Sequence, residues 1–326
     1  MTTGTTSCAR ALSRSDAARP ARRGSRALTV AVAALLAAAL AAGGAAHAGP
    51  FRYCEPPAEL DAAQQDTLLR FAAVVKSTLE STDAKLALVA RSGLDLGRFG
   101  MRYSHGGISL RASPNAPWSV RQLYYDCDER RPRLFDEGLA GFMMGTGDPS
   151  IGFFSVVLVP GAEDALERAA RDNALAMRLV GGTYSANAYP FSQRYQNCNQ
   201  WVAELVGVAW GGLEGGGDLR ADAQRWLRGE GYEPTRFEVG NPALIWLAAV
   251  LPWLHVGDHP APDLEAGRFL VSMPQSIEAF ARARVPGARR LEFCHAHRRI
   301  VVREGWTPIA EGCVPAPGDR VVALDG

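Results

Sequence analysis

Residues 101–126 read Met101-Arg102-Tyr103-Ser104-His105-Gly106-Gly107-Ile108-Ser109-Leu110-Arg111-Ala112, then Ser113-Pro114-Asn115-Ala116-Pro117, then Trp118-Ser119-Val120-Arg121-Gln122-Leu123-Tyr124-Tyr125-Asp126. The first and third pieces carry apolar residues in near alternation, and a Pro/Asn cluster separates them. That pattern predicts two strands, Met101–Ala112 and Trp118–Tyr125, joined as a hairpin. Upstream, Lys85–Arg91 reads as a further strand. Ala58–Glu80 reads as a helix, with Leu60, Leu68, Phe71, Val75 and Leu79 on one face.

Downstream, Phe153–Val159 is a buried strand that stops at Pro160, and Glu163–Leu179 is a helix. The polar loop Gly181–Asn197 leads into an apolar-faced helix, Cys198–Trp210, with Val202, Leu205, Val206 and Ala209 inward. Gly211–Gly217 breaks the chain, and Asp218 caps a helix over Leu219–Arg228. Leu244–Val256 is apolar, with Trp246 and Trp253, and is interrupted by Pro252. It reads as a core segment, with a lid over a lipid-like substrate as the alternative. A strand at Phe269–Met273, a helix at Gln275–Arg284 and a hairpin over 291–303 complete an α+β chain without internal repeats.

The chain has 326 residues, 35 Lys+Arg against 34 Asp+Glu, 47% hydrophobic residues and six Cys. This composition excludes a disordered or fibrous chain, and the charge excludes a generally basic nucleic-acid binder. Residues 1–26 hold six Arg and one acid, Leu28–Ala42 carries no charge, and Ala46-His47-Ala48 follows. A basic region, a short apolar core and an A-x-A site predict a Sec signal peptide cleaved after Ala48. The uncharged run is too short for a membrane span. Without residues 1–48, 29 basic residues stand against 33 acidic ones, a balance of −4. The expected location is the periplasm or the exterior, with no transmembrane span after cleavage. The segments are then 49–84 (N-terminal and helical), 85–232 (core) and 233–326 (α+β extension).

Cys8 leaves with the signal, so Cys54, Cys127, Cys198, Cys294 and Cys313 remain. An oxidising compartment favours pairing, and an odd count leaves one thiol over. Cys294 and Cys313 flank the C-terminal hairpin and suit a local bridge. Cys54 and Cys127 then pair over a longer loop, and Cys198 stays free. Four cysteines allow three pairings, and the spacing alone does not decide among them.

Cys198 stands where a polar loop becomes a helix. Unpaired N–H groups there stabilise a thiolate and can hold an acyl-transfer oxyanion. The expectation is a depressed thiol pKa, with Asn197 and Tyr195 assisting at the oxyanion. The base is His105, whose glycine neighbours leave room for a substrate or a helix end. The orienting group lies on the strand paired with His105: Gln122 first, Asp126 second. His255, His259, His295 and His297 fit no common zinc spacing, although His295-x-His297 on a strand would turn both rings to one side. No metal and no cofactor are implied.

A strand-borne Ser104-His105-Gly106-Gly107-Ile108, a hairpin, and a later Asn197-Cys198-Asn199-Gln200-Trp201-Val202 helix resemble the circularly permuted papain-like fold. That group includes permuted NlpC-type hydrolases and lecithin retinol acyltransferase. Across the mature chain, the Trp118–Leu123 strand, Cys127 and Phe135-Asp136-Glu137-Gly138-Leu139 resemble an uncharacterised family of exported bacterial proteins. The permuted fold implies an antiparallel sheet with a packed Cys-bearing helix, covering about residues 85–210. It also implies a third polar residue on the strand after His. Gln122 fills that position without the charge of the usual His or acid. The implied activity is an exported thiol hydrolase or acyltransferase acting on an amide or ester. A cell-wall peptide is the first expected substrate and an acyl or lipid compound the second. The rival reading is a non-catalytic periplasmic binding or assembly protein on a degenerate hydrolase fold.

Overall fold

The computed structural model describes Cys54 and residues 59–214, 216–241, 245 and 251–324. The expected signal segment, the start of the first helix at Ala58, and Trp246 lie outside the described residues. Helix α1, Ala62–Glu80, begins one residue after Asp61, whose carboxylate accepts the Gln64 N–H at 2.8 Å while Gln64 Oε1 accepts the Asp61 N–H at 3.0 Å. This capping box fixes the start of the helix. Strand β1, Leu86–Arg91, then pairs antiparallel with β2, His105–Leu110.

The hairpin forms as expected. Strand β3, Ser119–Asp126, pairs with β2 in the register Ile108↔Arg121 and Leu110↔Ser119. Two elements follow that sequence reasoning missed: strand β4, Arg131–Glu137, and the short helix α2, Leu139–Met144. Pro132 and four charged residues disguise β4. It tolerates the proline because it is an edge strand of the sheet. Strand β5, Gly152–Leu158, returns through the centre beside β1.

The expected helix over 163–179 is two, α3 Glu163–Arg171 and α4 Asn173–Arg178. Asp172 divides them, because its side chain accepts the Ala174 and Leu175 N–H groups at 2.9 and 3.0 Å and restarts the chain as an N-cap. Helix α5, Cys198–Gly211, is capped by Asn197, and α6, Leu219–Gly229, by Asp218. Residues 198–208 of α5 are all buried, so it is a central helix and not one with a single apolar face. Its buried polar side includes Glu204, which pairs with Arg220 at 2.9 Å and accepts the Gln196, Gln200 and Gln224 amides.

Strands β6, Thr235–Glu238, and β7, Arg268–Val271, form a separate pair. Helices α7, Ala261–Glu265, and α8, Pro274–Arg284, flank β7 in the chain. Strand β8, Arg289–Ala296, turns at His297 and Arg298, both at positive φ, into β9, Arg299–Glu304. Two left-handed residues are what a tight two-residue hairpin requires. His297 therefore sits in the turn, and the expected His-x-His pair on one strand does not form. Strand β10 is Arg320–Ala323.

The result is α+β with a large antiparallel sheet in the order β10-β9-β8-β5-β1-β2-β3-β4. The sheet takes strands from 86–158 and from 289–323, and so runs through both expected segments beyond residue 84. Alternation divides its two faces. Leu86, Leu88, Ile108, Leu110, Leu123 and Val157 pack with α3–α6 and α8. Ala87, Val89, Val120, Phe154 and Val156 pack with α1 and α2. Cys54 bonds to Cys127, just past β3, and Cys294 to Cys313, while Cys198 is free. Two disulfides are compatible with an exported protein. Among the described residues no helix is long and apolar enough to cross a membrane.

Candidate active site

His105 opens β2 and Gln122 lies on β3, and the structure brings them together: His105 Nε2 is 2.5 Å from Gln122 Oε1. Gln122 Nε2 donates to Glu137 Oε2 at 2.7 Å. That carboxylate fixes which end of the amide faces the imidazole, so Nε2 of His105 carries the proton and Nδ1 keeps its lone pair. Glu137 supplies, one residue further out, the charge that Gln122 lacks. Sequence reasoning missed this role because β4, which carries Glu137, was unread.

The alternation of β2 places His105 on the α2 face. Its ring lies 5.6 Å from Phe142 and 5.2 Å from Tyr124. A Cβ at Gly107, on the same side, would meet Gln122 Cβ at 3.4 Å. Gly106 faces the other way, toward α5, where a Cβ would stand 3.2 Å from Asn199 Oδ1. The helix start thus approaches the strand at a glycine, as expected.

Cys198 is the first residue of α5 and lies in the opposite core, 5% exposed. No hydrogen bond joins it to His105 among the described residues. The link is through Asn199, which donates to the Ser104 carbonyl at 3.2 Å and abuts Gly106, so the residue after Cys198 touches both neighbours of His105. The side-chain hydrogen-bond partner of the thiol is Tyr184. No spacing in the loop 181–197 distinguishes that tyrosine beforehand.

The side chains of three expected supports have other partners. Asn197 Oδ1 caps α5 through the Gln200 N–H at 2.7 Å, and its Nδ2 donates to the Ala186 and Ser272 carbonyls. Its amide is engaged as a cap, not aimed at an oxyanion. Tyr195 stacks on His255 with ring centroids 4.6 Å apart. Asp126 accepts the Asp128 and Glu129 N–H groups at 3.0 and 2.9 Å, so it builds the β3–β4 turn and does not orient His105.

The electrostatics correct another expectation. Burial pushes the Cys198 thiol up to about 11, although Tyr184, the Asn199 N–H, the charge of Arg91 and its own N–H pull the other way. The helix terminus acts in the expected direction, but desolvation outweighs it. Burial, aided by the Arg91 charge, pushes His105 down to about 3 against the Gln122 hydrogen bond. At neutral pH both groups are uncharged in this arrangement. Helix α2 covers the His105 side, with Leu139, Phe142 and Met143 buried. Among the described residues no three potential metal ligands gather.

No curated protein and no solved structure matches the chain. A family model described as "Uncharacterized protein conserved in bacteria" matches residues 78–281, which include β1 through β7 and end before β8. With well over half of its length matched, the chain belongs to this bacterial family, DUF2145.

Proposed function

We propose that the protein is an exported thiol hydrolase or acyltransferase-like enzyme built on the permuted papain-like plan. Its substrate is an amide or ester, first of all a cell-wall peptide. The observation that supports this best is the oriented relay His105–Gln122–Glu137 at the level where α5 begins on the free cysteine. In the reaction, Cys198 Sγ attacks the substrate carbonyl as its proton passes to Nδ1 of His105. The N–H groups of the α5 first turn receive the oxyanion. His105 gives the proton to the leaving amine or alcohol, and a thioester forms. Water then attacks the thioester, releasing the acid and restoring the thiol. The described structure holds Cys198 and His105 on opposite faces of the sheet, so the reaction requires the start of α5 to shift past Gly106 before the proton can pass.

A second reading has its own support. The buried, neutral Cys198 suits a non-catalytic binding or assembly protein on the same fold. Alkylation of the native protein with iodoacetamide, mapped by mass spectrometry, separates the two. The enzyme reading expects labelling at Cys198 that is lost in His105→Ala, and muropeptide or ester turnover lost in Cys198→Ala. A Cys198 unreactive in the native protein would sink it in favour of the binding reading.

A further inference from the structure

We propose that Arg91 is the substrate-recognition residue of this site, selecting carbonyl compounds that carry a carboxylate beside the scissile bond. The inference rests on the Cys198–His105 reading above. Arg91 ends β1, and its cross-strand partner is His105. Two residues on from Val89, its side chain falls on the His105 face of the sheet.

Four arginines are buried among the described residues: Arg91, Arg121, Arg220 and Arg290. Three have carboxylate partners. Arg121 pairs with Asp136, Arg220 with Glu204, and Arg290 with Glu278 and Glu292. Arg91, 6% exposed, has none at ion-pair distance. Its guanidinium donates to the Gly145 and Ser92 carbonyls, meets Tyr124, and lies 5.3 Å from the centroid of the Phe142 ring. Its Nε has no partner. Glu137 acts on it through space only.

A buried charge without a counter-ion is costly unless something completes it. Of the neutral groups that hold Arg91, the ring of Phe142 lies in α2 and the carbonyl of Gly145 just after it, while the Ser92 carbonyl and Tyr124 belong to the sheet side. Displacing α2 frees the guanidinium on the face where His105 stands. The same charge acts on both Cys198 and His105. Because His105 is the cross-strand partner of Arg91, a carboxylate seated on the planar fork of Arg91 is held beside the group that takes the Cys198 proton. Peptides with a free carboxylate next to the cleaved bond meet this requirement. Neutral lipid esters do not.

Iodoacetate and iodoacetamide test this without knowledge of the substrate. Both alkylate sulfur with loss of iodide, and they differ in one charge. The ratio of their rates at Cys198 is expected to exceed the glutathione ratio by about tenfold or more, the worth of one charge-assisted hydrogen bond. It should fall to the glutathione ratio in Arg91→Gln and be largely kept in Arg91→Lys. A wild-type ratio equal to that of glutathione, or one unchanged in Arg91→Gln, overturns the role of Arg91. His105-dependent labelling would in that case still uphold the hydrolase reading. No labelling by either reagent overturns both. Should Arg91→Gln fail to fold, the wild type suffices: glutarate should slow iodoacetamide labelling of Cys198 and glutaramide should not. Equal effects of the two overturn the proposal.

Discussion

Lowering the pH from 7 to 4.5 should remove about 2.5 kcal/mol of stability through His105 alone. Burial holds its pKa near 3 in the folded protein, against about 6.5 in an unfolded chain. The folded state therefore keeps the imidazole neutral while the unfolded state takes up a proton. The stabilisation is complete above the unfolded value and is lost as the pH falls toward the folded one. At pH 4.5 the solution lies two units below the unfolded value, at about 1.36 kcal/mol per unit. The folded value hardly enters at that pH, so the loss does not depend on its exact position. His295, lowered to about 4 by burial, adds a comparable loss. Carboxylates held low, such as Asp319, lose stabilisation too, while those held high, such as Glu278, act oppositely. The clean observable is a difference of differences: denaturant unfolding of wild type and His105→Gln at both pH values, disulfides intact. The variant should lose about 2.5 kcal/mol less than the wild type. Equal losses within about 0.5 kcal/mol, or a His105 ring resonance titrating near neutrality, would refute the buried, neutral imidazole.

Other perturbations bear on the scaffold. In Gly107→Ala the new Cβ would stand 2.9 Å from the Arg121 carbonyl, so β2 and β3 must part, and thermal unfolding should register about 1–3 kcal/mol. Glu204→Leu strands Arg220 in the core and should cost about 3–5 kcal/mol, while adding Arg220→Leu should cost much less than a second such loss. Additive effects in denaturant unfolding would contradict a coupled pair. Removing the Cys54–Cys127 bridge, which spans 73 residues, should lower stability by about 2–4 kcal/mol. A non-reducing peptide map giving any other linkage would refute the pairing.

Much of the frame was legible in the sequence because alternation and capping are local signals. The β2–β3 hairpin followed from its Pro/Asn turn, and α6 from Asp218. Gln122 followed from strand alternation, since it lies diagonally across the hairpin from His105 on the same face. What failed was tertiary. Strand β4 was hidden by Pro132 and its charges, which only an edge position makes admissible, and Glu137 was hidden with it. The pKa of Cys198 could not be read from its place on a helix, because burial is decided by the loop 181–197 and by elements from both halves of the chain that meet in its core. Arg91 was visible only as the end of a strand. Its importance lies in the lack of a carboxylate, which no local pattern records.

The position of β8 also governs how the chain is assembled. Gly152 pairs with His295, so the middle of the sheet closes only when segments more than a hundred residues apart meet. Such non-local pairing is slow to form, because loop-closure entropy is spent before the contact rewards it. Until β8 arrives, β5 offers an open row of backbone donors and acceptors beside Phe153, Phe154 and Val156, a template for pairing between chains. A chain cut before Arg289 would keep all of its candidate catalytic residues and still be prone to aggregate.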